Sequence, residues 1–153
     1  MTGVTITGWG SALPPRVVTN TDITTLFETS DEWIFERSGI RRRRAATGPF
    51  VDPPVPANPP GNGLGTTATL AAEAGRRALE RAGVKGRDIG LVVLCTTTPD
   101  QLIPASSAAV AAALGVTSGA MDVNAACAGF TYGLVAASGL IAAGAERILL
   151  IGA

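Results

Sequence analysis

Ile89-Gly90-Leu91-Val92-Val93-Leu94-Cys95-Thr96 (IGLVVLCT) is a nearly unbroken apolar run of strand length. A strand without a polar face is covered on both sides, as parallel strands between helices are. The flanks agree with that reading. Upstream, Thr66 to Ala82 repeats apolar residues at helical spacing and stops at Gly83. Downstream, Ala105 to Leu114 is helical and ends at Gly115, and Ala120 to Asn124 is a short strand. The stretch Ala126-Cys-Ala-Gly-Phe130 follows at once and opens a helix to about Ala143, and Arg147 to Ile151 (RILLI) is a last strand. Strands alternating with helices predict an α/β fold with right-handed crossovers and a mostly parallel sheet.

Toward the N-terminus the signals are shorter. Val4 to Gly10 (VTITGWG) alternates and ends on glycine, as a first strand would. Thr19 or Asn20 caps a short helix at Asp22 to Phe27. Thr29 and Glu32 form a T-x-x-E capping box for a second helix, which runs to about Ser38 before Gly39. Arg41 to Ala45 reads as a short strand. The total is about five strands, enough for one sheet. Gly48 to Gly65 holds six of the ten prolines and predicts an exposed loop without regular structure. Too little chain precedes it to fold alone, so it reads as an insertion or lid rather than a domain boundary.

Composition narrows the function classes. The 153 residues suffice for one domain with a core, and apolar residues at 46% against 16% charged describe a globular chain. Twelve basic and twelve acidic side chains cancel, which gives no global electrostatic case for nucleic acid or an anionic membrane. Histidine is absent, so a Ser-His-Asp triad, a Cys-His dyad or a histidine metal site cannot come from this chain alone. Cys95 and Cys127, with no C-x-x-C, make neither a zinc site nor a disulfide scaffold, and a reducing cytoplasm is expected. Met1 to Gly10 has no basic segment and no long apolar stretch, so no secretory signal is expected. Val123 to Ala145 carries no charge, yet its glycines, alanines, Asn124, Thr131 and Ser138 favour a buried element of a soluble protein over a membrane span.

The same stretch has a second implication. A helix from Phe130 to Ala143 without a charge on any face asks to be buried all round. Gly129 and Gly133, one turn apart, permit close backbone approach. One sheet covers only one side of such a helix, so the other side is expected to need something outside this chain.

Cys127 is the main candidate for chemistry. It lies in Asn124-Ala-Ala-Cys-Ala-Gly-Phe130, between strand and helix, where a sharp turn presents its sulfur at the strand's carboxyl end. Small neighbours leave room for a substrate. A helix N-terminus supplies partial positive charge and free N–H groups, which favour a thiolate and can hold an oxyanion. The logic is that of the hydrolase nucleophile elbow with cysteine in place of serine. A small cysteine filling a tight strand–helix junction fits the local pattern equally well. Cys95, inside LVVLCTT, reads as a core strand residue.

Three blocks of this sequence resemble the β-ketoacyl-acyl-carrier-protein synthase III family of the thiolase superfamily. They are ACAGFTYGL (Ala126 to Leu134), TSDEWI with R-x-GI-R (Thr29 to Arg41), and CTTTPDQLIPASSA (Cys95 to Ala108). The resemblance covers nearly the whole chain except the proline-rich insertion. It implies the N-terminal half of a thiolase-like fold: a mostly parallel five-stranded sheet with a buried central helix. Full members stack two similar α/β halves into an αβαβα sandwich. It also implies a Claisen condensation that starts an acyl chain, for fatty acid or polyketide synthesis. Cys127 would attack a short acyl-CoA, and malonyl-acyl-carrier protein would lose carbon dioxide and take the acyl group. No cofactor is implied; the CoA thioester is substrate. The family's decarboxylating histidine and asparagine come from the C-terminal half, absent here, and Asn20, Asn58, Asn62 and Asn124 match neither motif.

The resemblance assigns further roles. Trp33 and Arg37, at i and i+4 on one helix face, would stack on the CoA adenine and contact a phosphate, with Thr29 nearby. A surface Trp–Arg pair is the plainer alternative. A second arginine to complete the adenine sandwich is expected beyond Ala153. Ile103, before Pro104, matches a position that reaches across a homodimer interface into the partner's acyl pocket and limits acyl length; a loop anchor is the alternative. The run Arg41-Arg42-Arg43-Arg44 reads as a solvated edge strand or, with Arg37, as a patch attracting CoA phosphates or an acidic carrier. The insertion between Thr47 and Thr66 departs from the family and fits a specialised starter-unit synthase. Two other readings stay open: a non-catalytic remnant that binds CoA or a partner, and another thiolase-fold acyltransferase with a different acceptor.

Overall fold

The computed structural model describes residues 3–46 and 65–153. The loop expected at Gly48 to Gly65 therefore lies outside the described residues, Gly65 excepted. The chain divides into two compact units, residues 13–66 and residues 1–12 with 67–153.

In the unit of residues 13–66, β1 (Arg16–Thr19) pairs antiparallel with β2 (Arg42–Ala45), Thr19 opposite Arg42 and Arg16 opposite Ala45. Between them lie α1 (Asn20–Thr24) and α2 (Asp31–Ser38). Thr19 is the cap of α1. Its hydroxyl accepts the Asp22 N–H at 3.2 Å, and the Asp22 carboxylate accepts the Thr19 N–H at 2.7 Å. That backbone bond, with the Thr19 hydroxyl, holds the Asp22 carboxyl below its usual range. The helix thus starts at Asn20 and is shorter than expected. The capping box expected at Thr29 and Glu32 does not form. Ser30 caps α2 instead, its hydroxyl accepting the Trp33 N–H at 3.1 Å. Two adjacent hydroxyl residues offer two starts, and the extended backbone at Ser30 decides between them. Gly39, at φ 69°, ends the helix as expected.

Asn20 is the hub of this unit. Its buried amide donates to Asp31 Oδ1 at 2.7 Å and to the Ile40 carbonyl at 2.8 Å, and its Oδ1 accepts from Arg43 at 2.8 Å. The arginine run is fastened as well. Arg44 donates to the Pro15 carbonyl at 3.0 Å, and Arg41 pairs with Asp31 at 3.5 Å while lying 3.7 Å over the Phe35 ring.

The other unit holds α3 (Thr67–Ala82), β3 (Leu91–Cys95), α4 (Ser106–Ala113), β4 (Gly119–Val123), α5 (Gly129–Ala142) and β5 (Ile148–Gly152). Its sheet is parallel with β3 in the centre, order β4-β3-β5; Leu91 aligns with Gly119 and Ile148, Cys95 with Val123 and Gly152. Successive side chains of β3 go to opposite faces. Val92 and Leu94 join Ala71 and Leu79 of α3, Val110 and Ala111 of α4, and Leu149 and Ile151 in the core. Val93, Cys95 and Leu150 face α5 at Gly133. Of α5, Gly129, Gly133 and Ala137 are buried while Phe130, Tyr132, Leu134 and Val135 are exposed. The uncharged helix is covered on one face only, as expected of a helix whose other side needs something outside this chain.

Two elements differ from the sequence reading. Among the described residues the strands form a three-stranded parallel sheet and a separate two-stranded pair, in place of one five-stranded sheet. Val4 to Gly10 is not a strand. It lies on α3, where Cβ atoms at Gly8 and Gly10 would strike the carbonyls of Ala78 and Ala74. Arg77 and Arg81 donate to the Ser11 and Trp9 carbonyls at 2.7 and 3.1 Å. Alternation reports a one-sided burial, and here a helix supplies the covered side without a strand ladder.

Candidate active site

The crossovers place α4 and α5 on opposite faces of a sheet whose central strand is β3, so a crevice opens at the strands' carboxyl ends. Val123 ends β4, and the chain turns within Asn124 to Ala126. Ala126 adopts φ 48°, a left-handed conformation that residues with a Cβ rarely take. A short 3-10 turn (Ala126–Ala128) then leads into α5. Cys127, in the middle of that turn, is exposed. The sharp turn expected from the sequence is thus present, and the alternative of a cysteine buried in the junction does not fit.

A cavity of about 420 Å³ opens beside it, lined by Cys95, Thr96 and Thr97 from the end of β3, by Ala126, Cys127, Gly129 and Phe130 from the turn, and by Ala153 after β5. Cys127 and Cys95 therefore share one cavity but differ in exposure. Cys95 is buried, and burial pushes its thiol's pKa up, which keeps it protonated. Phe130 forms an apolar wall. Its ring packs over Gly152, where a Cβ would come within 3.1 Å of Cδ2. Of the helix-start amides expected to hold an oxyanion, Ala128 donates to the Ala125 carbonyl at 3.1 Å and Gly129 to the Ala126 carbonyl. Those two amides close the turn rather than point into the cavity.

Thr29, Trp33 and Arg37 belong to the unit of residues 13–66, and Cys127 and Ile103 to the other. Trp33 is exposed on α2, and the Arg37 guanidinium lies 4.7 Å from its ring centre, as the i, i+4 spacing demands. The Thr29 hydroxyl is buried and has no hydrogen-bond partner among the described residues. Ile103 is 89% exposed, beside an equally open Leu102, and is not among the residues lining the cavity.

The loop carrying Ile103 is held at its base by a residue the sequence reading passed over. The Asp100 carboxylate accepts the Thr67 and Ala68 N–H groups of α3, both at 2.8 Å, and the Asp100 N–H donates to Ser106 Oγ at 2.9 Å. Asp122 of β4 does the same for α4, accepting from Ser106 and Ser107 N–H at 3.0 and 2.8 Å. Neither aspartate adjoins the helix it caps, so no local pattern announces them. Among the described residues no cluster of three or more His, Cys, Asp or Glu could hold a metal ion, and no helix is long and apolar enough to cross a membrane.

Comparison with known proteins agrees with this geometry. A family model described as 3-oxoacyl-[acyl-carrier-protein] synthase III matches residues 121–153, the segment that carries the end of β4, the Cys127 turn, α5 and β5. A curated β-ketoacyl-[acyl-carrier-protein] synthase III of Rhizorhabdus wittichii is 47% identical over 150 residues, covering 97% of this chain and 42% of its own length. The crystal structure of 3-oxoacyl-[acyl-carrier-protein] synthase III from Aquifex aeolicus superposes with a TM-score of 0.86 at 35% identity, over 99% of this chain and 44% of that one. The priming β-ketosynthase of the R1128 polyketide biosynthetic pathway superposes at 0.82 with 34% identity, over 96% and 40%. This chain thus spans about two fifths of the length of the proteins it matches. Its fold is α/β and thiolase-like, and over nearly its whole length it is similar to part of the β-ketoacyl-acyl-carrier-protein synthase III proteins.

Proposed function

We propose that the chain is the nucleophile-bearing, N-terminal half of a ketoacyl synthase III that starts acyl chains by decarboxylative Claisen condensation. The observation that carries this reading is Cys127: an exposed thiol on a left-handed turn, at the carboxyl ends of all three parallel strands, beside a cavity lined mostly by small residues. The Cys127 thiolate attacks the carbonyl carbon of a short acyl-CoA, the carbon–sulfur bond to CoA breaks, and CoA leaves as the thiol. Malonyl-acyl-carrier protein then loses carbon dioxide, and its carbanion takes the acyl group from Cys127. Trp33 stacks on the CoA adenine and Arg37, whose guanidinium lies 4.7 Å from that ring, contacts a phosphate, with Thr29 as a further binding residue. Ile103, fully open on a clamped loop, reaches into the acyl pocket of a second copy in a homodimer. The reaction needs no cofactor beyond its thioester substrates, and its setting is cytoplasmic.

With no histidine in this chain, the groups that assist decarboxylation come from the remaining three fifths of the family's length. Alone, the chain is a half that accepts an acyl group without condensing it. That absence also favours a second reading, a CoA-binding half without turnover, and a third thiolase-fold option differs in its acceptor. Intact-mass measurement after incubation with acetyl-CoA separates them. An acetyl adduct that disappears in Cys127→Ser is expected. No adduct, even with the family's C-terminal half supplied, sinks the proposal. Product analysis with malonyl-carrier protein against other acceptors decides the last option.

A further inference from the structure

Cys95 and Gly133 meet where α5 rests on β3. A methyl group on Gly133 would strike the Cys95 sulfur and come within 2.8 Å of Leu150 Cδ1, so the helix backbone lies directly on that sulfur. One turn earlier, a Cβ on Gly129 would stand 3.8 Å from the Cβ of Cys95, an ordinary contact. Cys95 and Gly129 both line the cavity beside Cys127, which lies two residues ahead of Gly129. Side chains here are packed as in a crystal, so a single sulfur more or less is felt. Leu150 and Val93 also face Gly133, at 2.8 and 4.0 Å from its would-be Cβ, so α5 keeps two other neighbours there when residue 95 is shortened. Volume given up by residue 95 is therefore added to the cavity.

We propose that Cys95 is a specificity-determining residue: its sulfur fills the space between Gly133 and the cavity, and so limits the length of acyl chain that Cys127 accepts. The acyl part of this statement rests on the reading of Cys127 as acyl carrier; the limit on cavity depth does not. Cys95 makes and breaks no bond. A methyl group on Gly133 pushes the sulfur toward the cavity and shortens it, and removing the sulfur as well gives that methyl the vacated place.

The test uses the full chain as wild type, Cys95→Ala, Gly133→Ala and the double variant. Straight-chain alkyl methanethiosulfonates of increasing length probe depth without any enzymatic step. The Cys127 thiolate attacks the sulfur that bears the alkyl group, a disulfide forms, and methanesulfinate leaves. Rates at Cys127 come from intact mass and peptide mapping, each normalised to the methyl reagent. For the first chain length that wild type excludes, Cys95→Ala is expected to react about fourfold faster, the gain from admitting one more methylene group. Gly133→Ala is expected to exclude shorter chains, and the double variant to return toward wild type. Identical length profiles in Cys95→Ala and wild type overturn the proposal, and this comparison stands even where Gly133→Ala fails to fold. Straight-chain acyl-CoAs form the second arm. Shifted thiosulfonate profiles with no acyl-CoA labelling keep the depth limit and remove the acyl-carrier reading. Labelling of wild type with unshifted profiles removes the depth limit alone.

Discussion

Ala126 holds a left-handed backbone immediately before the nucleophile, at a cost on the order of 1 kcal/mol or more for a residue with a Cβ. The sharp turn that carries Cys127 was legible in the sequence, but the local pattern alone left nucleophile and junction filler equally open, and only the family resemblance favoured the first. The strain at Ala126 was not legible, since alanine carries no signal for positive φ. Ser107 is a second such case. It is fully buried on α4 and its hydroxyl finds no partner among the described residues. Ser107→Ala is expected to raise stability by about 1 kcal/mol in a denaturant titration, since it removes an unpaired buried group; destabilisation would show that the hydroxyl is satisfied. Glu73 on α3 offers a pH test. The hydrogen bond from Arg76, foremost, and that from Arg77 hold its carboxyl at about 2, against an ordinary 4.5. Its contribution is therefore complete above the ordinary value and is lost as pH falls from 4.5 toward 2. Melting temperatures of Glu73→Gln are expected to fall less steeply over that window than those of wild type. Arg76 and Arg77 are exposed and Glu73 is only half-buried, so the difference is small.

Among the elements, those from α3 to β5 match the sequence reading to within a residue or two. The central run 89–96 is apolar on both faces, and each helix that flanks it ends in glycine: Gly83 and Gly115 take φ of 66° and 67°. The failures sit where the pattern is short. Four residues of β1 (RVVT) are too few to show a period, and Val4 to Gly10 shows a period without a strand partner. Helix starts were the other gap. α4 is preceded by Ala105, whose methyl group cannot cap it, and Asp122 supplies the missing acceptor from the neighbouring strand. Asp122→Ala is expected to cost about 1–2 kcal/mol, the upper range for losing a cap, because two amides lose their acceptor at once. Chemical denaturation reads it, and a loss within error would mean that water replaces the carboxylate without penalty.

For the molecule as a whole, the exposed side of α5 is the largest departure from a self-contained domain. Phe130, Tyr132, Leu134 and Val135 lie open on one helix, an apolar surface of the kind that marks an interaction site. The isolated chain is expected to enhance the fluorescence of an anilinonaphthalene dye, and Leu134→Lys with Val135→Lys to abolish most of that signal. Undiminished fluorescence would place the dye elsewhere. The uncovered side was legible because a helix without charges outruns what one sheet can cover. The division into two units was not, since Pro14 and Pro15 after Leu13 mark a break before the strand β1 but not that the chain beyond it forms a separate unit. The capping aspartates add a consequence in time. Asp100 lies 33 residues after the first amide it caps, and Asp122 lies 16 and 15 residues after the two it caps. Both helices thus receive their N-terminal partner only when chain synthesised later has come back to them. Contacts so distant in sequence slow the search for the native state. On the ribosome, α3 would emerge complete in sequence yet frayed at its start, and settle only after β3 and the loop beyond it had left the exit tunnel.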